Sequence, residues 1–322
     1  MSEFTLIDSL RARVNIARGD VALGIGDDSA LLVPPAGQQL VACTDTLVAG
    51  IHFLPDTDPA DLGWKSLAVN LSDLAAMGAT PAWSLLALTL PQALPRFVER
   101  FADGFAELAC AHAVALVGGD TTQGPLAITV TALGCVPPGQ ALTRHGARAG
   151  DVVFVTGTLG AAVAALYGLR DGVYGTGRSA VDPELLTTLN RPQPRLAAGL
   201  ALRGLASACI DVSDGLLADL GHICVDSGVG AEIDVDSLPV SRALAASFDH
   251  AACIDMALSG GDNYELCFTA PAAHADAVQR ALAALPGGVT RIGRIVAGAG
   301  VLARDARGQR VVTRNAGWEH FA

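Results

Sequence analysis

Much of the acid in this 322-residue chain lies in six short motifs that are rich in Gly, Ser and Thr, and several of them directly follow an apolar stretch. The motifs cover residues 24–28, 44–46, 70–73, 118–122, 211–215 and 259–265. In α/β sheets, ligands bind at the loops beyond the carboxyl ends of strands. The motifs therefore provide candidate binding groups, provided that the fold brings them together.

Converging carboxylates would need a compensating cation, because two unit charges ~4 Å apart repel by ~4 kcal/mol at an effective dielectric constant near 20. Oxygen ligands without a Cys or His cluster favour Mg²⁺ over zinc or copper. Mg²⁺ held by several carboxylates beside Gly-rich turns is typical of sites for nucleotide phosphates. The pattern thus indicates Mg²⁺-dependent phosphate chemistry.

Each motif taken alone is equally typical of an ordinary turn or helix N-cap. Asp73 differs, since it falls inside a predicted helix, although a solvated helix face would also explain it. Three single residues also have two interpretations each. His52 is either a structural histidine or a ligand, and Arg144 is either an exposed linker residue or a phosphate partner. Trp318 is either a packing residue or an aromatic platform. Lys65 is the only lysine and lies outside a Walker-type loop, and the glycines at 157–160 form only half a dinucleotide fingerprint.

Alternating strand and helix patterns must position these residues. The first half predicts strands at 40–43, 83–90, 113–117 and 126–136, with helices at 61–77 and 96–112. Residues 44–46 are expected to form an exit loop, and residues 118–124 a turn. The second half predicts strands at 152–156, 208–212, 231–235, 265–269 and 289–296, with helices at 161–167, 216–227 and 273–285. The Gly-rich residues 171–180 are predicted to form a mobile loop.

This order predicts an α/β (α+β) protein of two domains, each a sheet covered by helices. A Pro- and Gly-containing break separates them. The predicted boundaries are an N-terminal domain at 1–138, a linker at 139–150 and a C-terminal domain at 151–322.

Composition restricts the class of protein further. The net charge of −11 argues against a nucleic-acid or anionic-membrane surface, and no apolar stretch reaches the ~18–20 residues that span a bilayer. The seven cysteines lack a Cys-x-x-Cys pair, and the N-terminus lacks a signal pattern, so a reducing cytoplasmic location is expected.

Five motifs, in this order, resemble those of the thiamine-monophosphate kinase family. They are Gly-Ile-Gly-Asp-Asp-Ser-Ala-Leu at 24–31, Thr-Asp-Thr-Leu-Val-Ala-Gly-Ile-His-Phe at 44–53, Ala-Val-Asn-Leu-Ser-Asp-Leu-Ala-Ala-Met-Gly at 68–78, Gly-Gly-Asp-Thr-Thr at 118–122 and Asp-Val-Ser-Asp-Gly at 211–215. The similarity extends over nearly the whole chain.

The resemblance implies a homodimer with the aminoimidazole-ribonucleotide-synthetase-like fold, in which the N-terminal domain builds the dimer sheet and the C-terminal domain closes over the nucleotide. It implies phosphorylation of thiamine monophosphate to thiamine diphosphate, with ATP as co-substrate, several Mg²⁺ ions and direct in-line transfer that needs no general base. The magnesium ligands that it implies are Asp28, Thr44, Asp45, Asp73, Asp120, Asp211 and Asp214, with Cys43 beside them. The implied ATP contacts are Gly119, Asp120, Arg144 and Ser213, and the implied thiamine-phosphate contacts are His52, Asp262 and Trp318.

The chain departs from the family pattern at three positions. Cys43 stands where the family often has Ser or Thr, and the usual Gly-Gly-Glu-Asp-Tyr-Glu reads Gly-Gly-Asp-Asn-Tyr-Glu at 260–265. Asp262 is therefore one methylene shorter, and Asn263 removes a charge. Two alternatives stay open: a sister ATP-dependent enzyme of the same fold (an aminoimidazole ribonucleotide synthetase, a selenophosphate synthetase or a hydrogenase-maturation protein), or a non-catalytic Mg²⁺- or nucleotide-binding protein.

Overall fold

A computed structural model describes residues 3–14, 16–170, 181–315 and 317–319. The segment 171–180, predicted to be a mobile loop, lies outside these residues. The chain divides into a first unit, Met1–Leu74 with Ala79–Gly139, and a second unit, Ala75–Gly78 with Gln140–Ala322. In the described part of the chain, none of the helices has the length and apolar character needed to cross a membrane.

The first unit is built on a four-stranded sheet of order β3-β6-β4-β5, in which only β4 and β5 are parallel. A short hairpin of β1 and β2 accompanies it. The elements in chain order are α1 (Glu3–Arg13), β1 (Val21–Leu23), β2 (Leu31–Leu32), β3 (Gln39–Val48), α2 (Pro59–Ala76), β4 (Thr80–Leu90), α3 (Pro95–Ala111), β5 (Ala115–Gln123) and β6 (Ala127–Val136).

Helices α2 and α3 meet at two glycines. A Cβ atom on Gly63 would lie 1.9 Å from the carbonyl oxygen of Phe101, and one on Gly104 would lie 1.8 Å from that of Ala60. Only glycine allows such close backbone approach. The contact brings the buried side chains of both helices into one core, which includes Leu67, Leu71, Leu74, Phe101, Phe105 and Leu108.

Two acidic motifs lie within strands, so their predicted loop conformations are wrong. Residues 44–46 continue β3 and pair with β6, Thr44 opposite Thr131 and Thr46 opposite Thr129. Residues 118–122 continue β5 and pair in parallel with β4. The polar composition of these segments is typical of loops. The neighbouring strands nevertheless supply hydrogen bonds that keep the segments extended.

The second unit contains a six-stranded sheet of order β12-β9-β11-β7-β10-β8, antiparallel except between β12 and β9. All residues of β7 and β10 are buried, so elements cover both faces of the sheet at its centre. The elements are β7 (Val152–Thr156), α4 (Ala161–Arg170), α5 (Pro183–Asn190), α6 (Leu196–Ala201), β8 (Ala208–Asp211), α7 (Leu216–Ser227), β9 (Gly230–Asp234), α8 (Arg242–Ser247), α9 (His250–Ser259), β10 (Leu266–Ala270), α10 (Ala275–Leu282), β11 (Val289–Val296) and β12 (Gly300–Arg304).

Helix α7 packs on one face of this sheet through Leu216, Leu220 and Ile223, which are fully buried. Its bounds agree with the prediction, and Gly228 ends it in the left-handed conformation, with φ 66°. A second cluster joins α4, α5, α8 and α9. The short helices α5, α6, α8 and α9 and strand β12 were not predicted, because their apolar stretches are too short to show a clear period.

Candidate functional site

In the first unit, strand β3 separates neighbouring side chains of one motif. Successive residues of a strand point to opposite faces. The less exposed Cys43 and Asp45 alternate with the exposed Thr44 and Thr46. The hydroxyl of Thr44 lies 2.7 Å from that of Thr131 on the next strand. Thr44 and Asp45, which the resemblance implies as ligands together, therefore present their side chains on different faces of the sheet.

Cys43, Asp45 and Asp73 lie close together where β3 meets α2. The thiol of Cys43 donates to the carbonyl oxygen of Asn70 at 3.3 Å. Burial, followed by the negative charges of Asp73 and Asp45, raises the pKa of the Cys43 thiol far above its usual range. The thiol is thus neutral at physiological pH, which makes its sulfur a poor ligand for a hard cation.

Glycine controls the position of Asp120 on β5. Gly119 has φ 153°, and a Cβ atom there would lie 1.8 Å from the carbonyl oxygen of Leu86 on β4. A larger residue would push the strands apart at this point, just before the exposed Asp120. Gly119, which the resemblance implies as an ATP contact, accordingly has no room for a side chain.

Asp27 and Asp28 are both exposed but differ in their contacts. The carboxylate of Asp27 accepts the backbone N–H of Asp28 at 2.8 Å, as in a turn. His52 is half-buried, and its Nδ1 accepts the backbone N–H of Val48 at 3.0 Å. In the neutral imidazole Nδ1 is therefore the acceptor nitrogen, and the proton lies on Nε2.

In the second unit, backbone hydrogen bonds join three distant segments. The N–H of Asp262 donates to the carbonyl of Ser213 at 2.8 Å, and that of Trp318 donates to the carbonyl of Asp214 at 3.0 Å. A Cβ atom on Gly261 would lie 2.6 Å from the carbonyl oxygen of Ser213. The structure thus brings together residues that the sequence implicated separately in ATP, metal and substrate binding.

Asp219 joins this group, although the sequence analysis missed it. It is 2% exposed, and one carboxylate oxygen accepts the N–H of Asp214 at 3.1 Å and that of Gly215 at 3.0 Å. Burial, followed by the charges of Asp211 and Asp214, raises the pKa of Asp219 to about 7. The sequence feature that could have indicated Asp219 is its place in the first turn of α7. Acidic residues are common there in ordinary helices as well.

The last ATP candidate, Arg144, is exposed on the segment before β7. Its carbonyl oxygen accepts the hydroxyl of Ser227 at 3.2 Å. That hydroxyl also accepts the N–H groups of Gly146 and Ala147, each at 3.1 Å. These contacts fix the backbone around Arg144.

The donor chemistry of both units suits a hard cation. Within the described ranges, no three Cys, His, Asp or Glu side chains lie close enough to hold a metal ion by themselves. In the second unit the carboxylates nevertheless lie close enough to interact: burial, followed by the charges of Asp211 and Asp214, raises the pKa of Asp219. Carboxylate oxygens fit Mg²⁺ completed by further oxygen ligands such as phosphate.

Comparisons with known proteins agree with the sequence motifs. Residues 26–136 match the family described as AIR synthase related protein, N-terminal domain, and residues 148–304 match its C-terminal domain. Thiamine-monophosphate kinase of Escherichia coli strain K12 is 48% identical over 320 residues, which are 99% of this chain and 98% of that protein.

Two solved structures are similar over nearly the full length. Thiamine-monophosphate kinase from Stenotrophomonas maltophilia has a TM-score of 0.88 at 51% identity, covering 97% of this chain and 98% of the other. A structure described as AaThiL complexed with AMPPCP and TMP has a TM-score of 0.78 at 34% identity, covering 99% and 97%. The predicted two-domain fold and the family resemblance are both confirmed, and the chain belongs to the thiamine-monophosphate kinase family.

Proposed function

We propose that this enzyme transfers the γ-phosphoryl group of ATP to thiamine monophosphate, giving ADP and thiamine diphosphate. Family membership over the full length supports the reaction, together with the relative whose structure contains AMPPCP and TMP. The observation in this chain that carries it is the assembly of Ser213, Asp214, Asp262 and Trp318 by backbone hydrogen bonds.

The transfer forms a bond between an oxygen of the acceptor phosphate and the γ-phosphorus, and breaks the bond from that phosphorus to the β–γ bridging oxygen. The acceptor oxygen is already anionic at neutral pH, so no general base is required. The protein must align the two phosphates in line and offset their negative charge. That requirement explains why the candidate site contains positioning and charge-binding groups.

Bound Mg²⁺ would supply positive charge to the polyphosphate. We assign Mg²⁺ ions to the carboxylates of Asp28, Asp45, Asp73 and Asp120 in the first unit, with Thr44 as a further candidate, and separately to those of Asp211 and Asp214 in the second unit. The neutral thiol of Cys43 makes its side chain the weakest member of the family-derived set.

Binding of the two substrates is assigned to different residues. Gly119, Asp120, Arg144 and Ser213 are proposed for ATP, and His52, Asp262 and Trp318 for thiamine monophosphate. The Nε2–H of His52 is suited to donate to a phosphate oxygen. Trp318 is 51% exposed and offers an aromatic face to the cationic thiazolium ring.

We further propose a homodimer formed through the face of the first-unit sheet that carries Leu40, 54% exposed, and Leu85, 36% exposed. Helix α2 contacts the opposite face through Asn70 and Cys43, and the β1–β2 segment covers the Leu40 face around Trp83. Leu40→Glu should convert the dimer into a monomer in analytical ultracentrifugation. Val225→Glu changes an equally apolar but 78% exposed residue of α7 and should leave the dimer intact. A dimer that persists in Leu40→Glu would contradict this interface.

The seven cysteines are all free thiols, which supports the proposed cytoplasmic location.

Product analysis tests the reaction directly. Purified protein, ATP and Mg²⁺ are incubated with thiamine monophosphate, with thiamine or with no acceptor, and the products are separated by chromatography. Thiamine diphosphate should form only with thiamine monophosphate, and EDTA should abolish it. ATP binding without this product would contradict the proposal and favour a sister enzyme or a non-catalytic binder.

A pair of variants tests the acidic motifs. Asp45→Asn should lower kcat at least about 100-fold with the fold retained, because it removes a proposed metal ligand. Asp27→Asn is the matched control: the amide oxygen can still accept the turn N–H, so activity should stay within about twofold. Equal effects of the two changes would contradict the assignment.

A further inference from the structure

The turn at 260–265 has an unusual backbone. Among the residues that the structure describes, three that are not glycine have a φ in the left-handed region: Ala113 at 52°, Asp262 at 60° and Tyr264 at 51°. Two of the three thus flank a single residue, Asn263. Non-glycine residues in this region are strained and persist only where their surroundings enforce the conformation, which happens most often at functional sites.

Asn263 enforces this backbone from inside the protein. It is 4% exposed; its Nδ2 donates to the carbonyl of Gly260 at 2.6 Å, and its Oδ1 accepts the N–H of Gly160 at 2.8 Å. Both ends of the amide are therefore used in the protein interior. The departure from the family pattern at this position changes a structural group rather than a group that faces a substrate.

Tyr264 fixes the neighbouring carboxylate. Its ring is buried, with 8% exposed, and its hydroxyl donates to Oδ1 of Asp262 at 3.0 Å. The backbone N–H of Tyr264 donates to the carbonyl of Val212 at 2.9 Å, and that of Asp262 to the carbonyl of Ser213 at 2.8 Å. Asp262 is accordingly held through its main chain and through one of its carboxylate oxygens.

We propose that Tyr264 is a positioning residue for the acceptor substrate: its hydroxyl holds the Asp262 carboxylate in one orientation, ready to bind N–H donors or the cationic ring of thiamine monophosphate. This inference rests on the proposed function. A side chain that is ordered before binding loses less conformational entropy on binding. The effect is useful for Asp262, because the carboxylate reaches less far than the Glu usual in the family and depends more on correct orientation.

Tyr264→Phe tests the proposal by removing one hydroxyl while retaining the ring. We expect the KM for thiamine monophosphate to rise about tenfold, as for the loss of one hydrogen bond to a charged group. The KM for ATP should stay within about twofold, and the Tm should fall by no more than about 6 °C. Tyr167→Phe on α4, a half-buried tyrosine of the same unit, is the matched control and should leave both KM values unchanged.

The hydroxyl should act only through Asp262. In an Asp262→Ala background, adding Tyr264→Phe should therefore change the KM for thiamine monophosphate by less than about twofold. Additive effects, an unchanged KM in Tyr264→Phe alone, or equal rises in KM for both substrates would overturn the proposal.

Calorimetric titration of thiamine monophosphate without ATP tests the positioning role of Tyr264 separately from the proposed kinase reaction. The Kd should rise about tenfold in Tyr264→Phe. A wild-type protein that binds thiamine monophosphate but makes no thiamine diphosphate would contradict the proposed function alone. Equal affinities of wild type and Tyr264→Phe would contradict the role of Tyr264 alone.

Discussion

The buried ion pair of Arg195 and Glu265 offers a quantitative test of what holds the turn at 260–265 in place. Glu265 is 5% exposed and directly follows Tyr264. Its Oε2 accepts Arg195 Nε and Thr156 Oγ1, each at 2.6 Å, while Oε1 accepts Arg195 Nη2. Burial works against the charge of Arg195, but the hydrogen bonds and negative charge of Glu265 outweigh it, so the pKa of Arg195 is raised.

Arg195→Ala should destabilise the second unit strongly. The change leaves a buried carboxylate whose described side-chain donor is the hydroxyl of Thr156. Removing one partner of a buried pair costs about 3–5 kcal/mol. A domain of 150–250 residues loses about 2–4 °C of Tm per kcal/mol, so we expect a fall of roughly 10 °C.

Removing both charges should cost less than removing one. The double variant Arg195→Met with Glu265→Gln leaves no uncompensated charge, so its Tm should lie above that of Arg195→Ala. Arg294→Ala breaks an ion pair with Glu232 in which the Arg294 side chain is 67% exposed. It should change the Tm by about 1 °C or less. Thermal unfolding followed by far-ultraviolet circular dichroism measures all three.

Two results would refute this reasoning. One is an Arg195→Ala variant that is no less stable than Arg294→Ala. The other is a double variant less stable than Arg195→Ala, which would show that packing rather than charge dominates at Glu265.

Three further predictions concern the turn at 214–215, the contact between β4 and β5, and acid stability. Asp219→Ala should reduce kcat at least about tenfold and raise the Mg²⁺ concentration that gives the half-maximal rate, because the N–H groups of Asp214 and Gly215 lose their acceptor. Asp219→Asn keeps an acceptor oxygen for these two N–H groups and should retain most of the activity. A Mg²⁺ titration of kcat distinguishes the two variants. Gly119→Ala should lower both activity and Tm because its Cβ would lie 1.8 Å from a carbonyl oxygen of the neighbouring strand, while Gly19→Ala, in open space, should change neither. The hydrogen bond from Arg18 lowers the pKa of Asp20, so this carboxylate stabilises the fold above about pH 4, and the stabilisation is lost as the pH falls further. Asp20→Asn should therefore make the Tm fall less steeply with decreasing pH. An unchanged slope on the acid side of the Tm–pH curve would contradict this prediction.

The sequence could predict the family and the chemistry because both are carried by short motifs of unusual composition. The Asp-Val-Ser-Asp-Gly motif at 211–215 identifies its acidic residues without any knowledge of their neighbours. Helices α2, α3 and α7 were also predictable, since their apolar residues recur at the helical period and Gly78 and Gly228 follow α2 and α7.

Other features depended on partners far away in the chain. Residues 44–46 look like a loop by composition, yet they are a strand because residues 129–131 pair with them. Pairing then places Thr44 and Asp45 on opposite faces, a distinction that composition does not contain. Asp219 resembled any acidic residue near a helix N-terminus until the fold buried it beside Asp211 and Asp214.

The sequence by itself therefore determined which groups are available for chemistry: carboxylates, glycine backbone, a tryptophan and a histidine. Only the tertiary structure decided how they are oriented. The N–H of Asp262 reaches the carbonyl of Ser213, and the N–H of Trp318 reaches that of Asp214, across gaps of about 50 and 100 residues in the chain. Orientation depends on such long-range hydrogen bonds and on burial, and both arise only when the separate segments pack together.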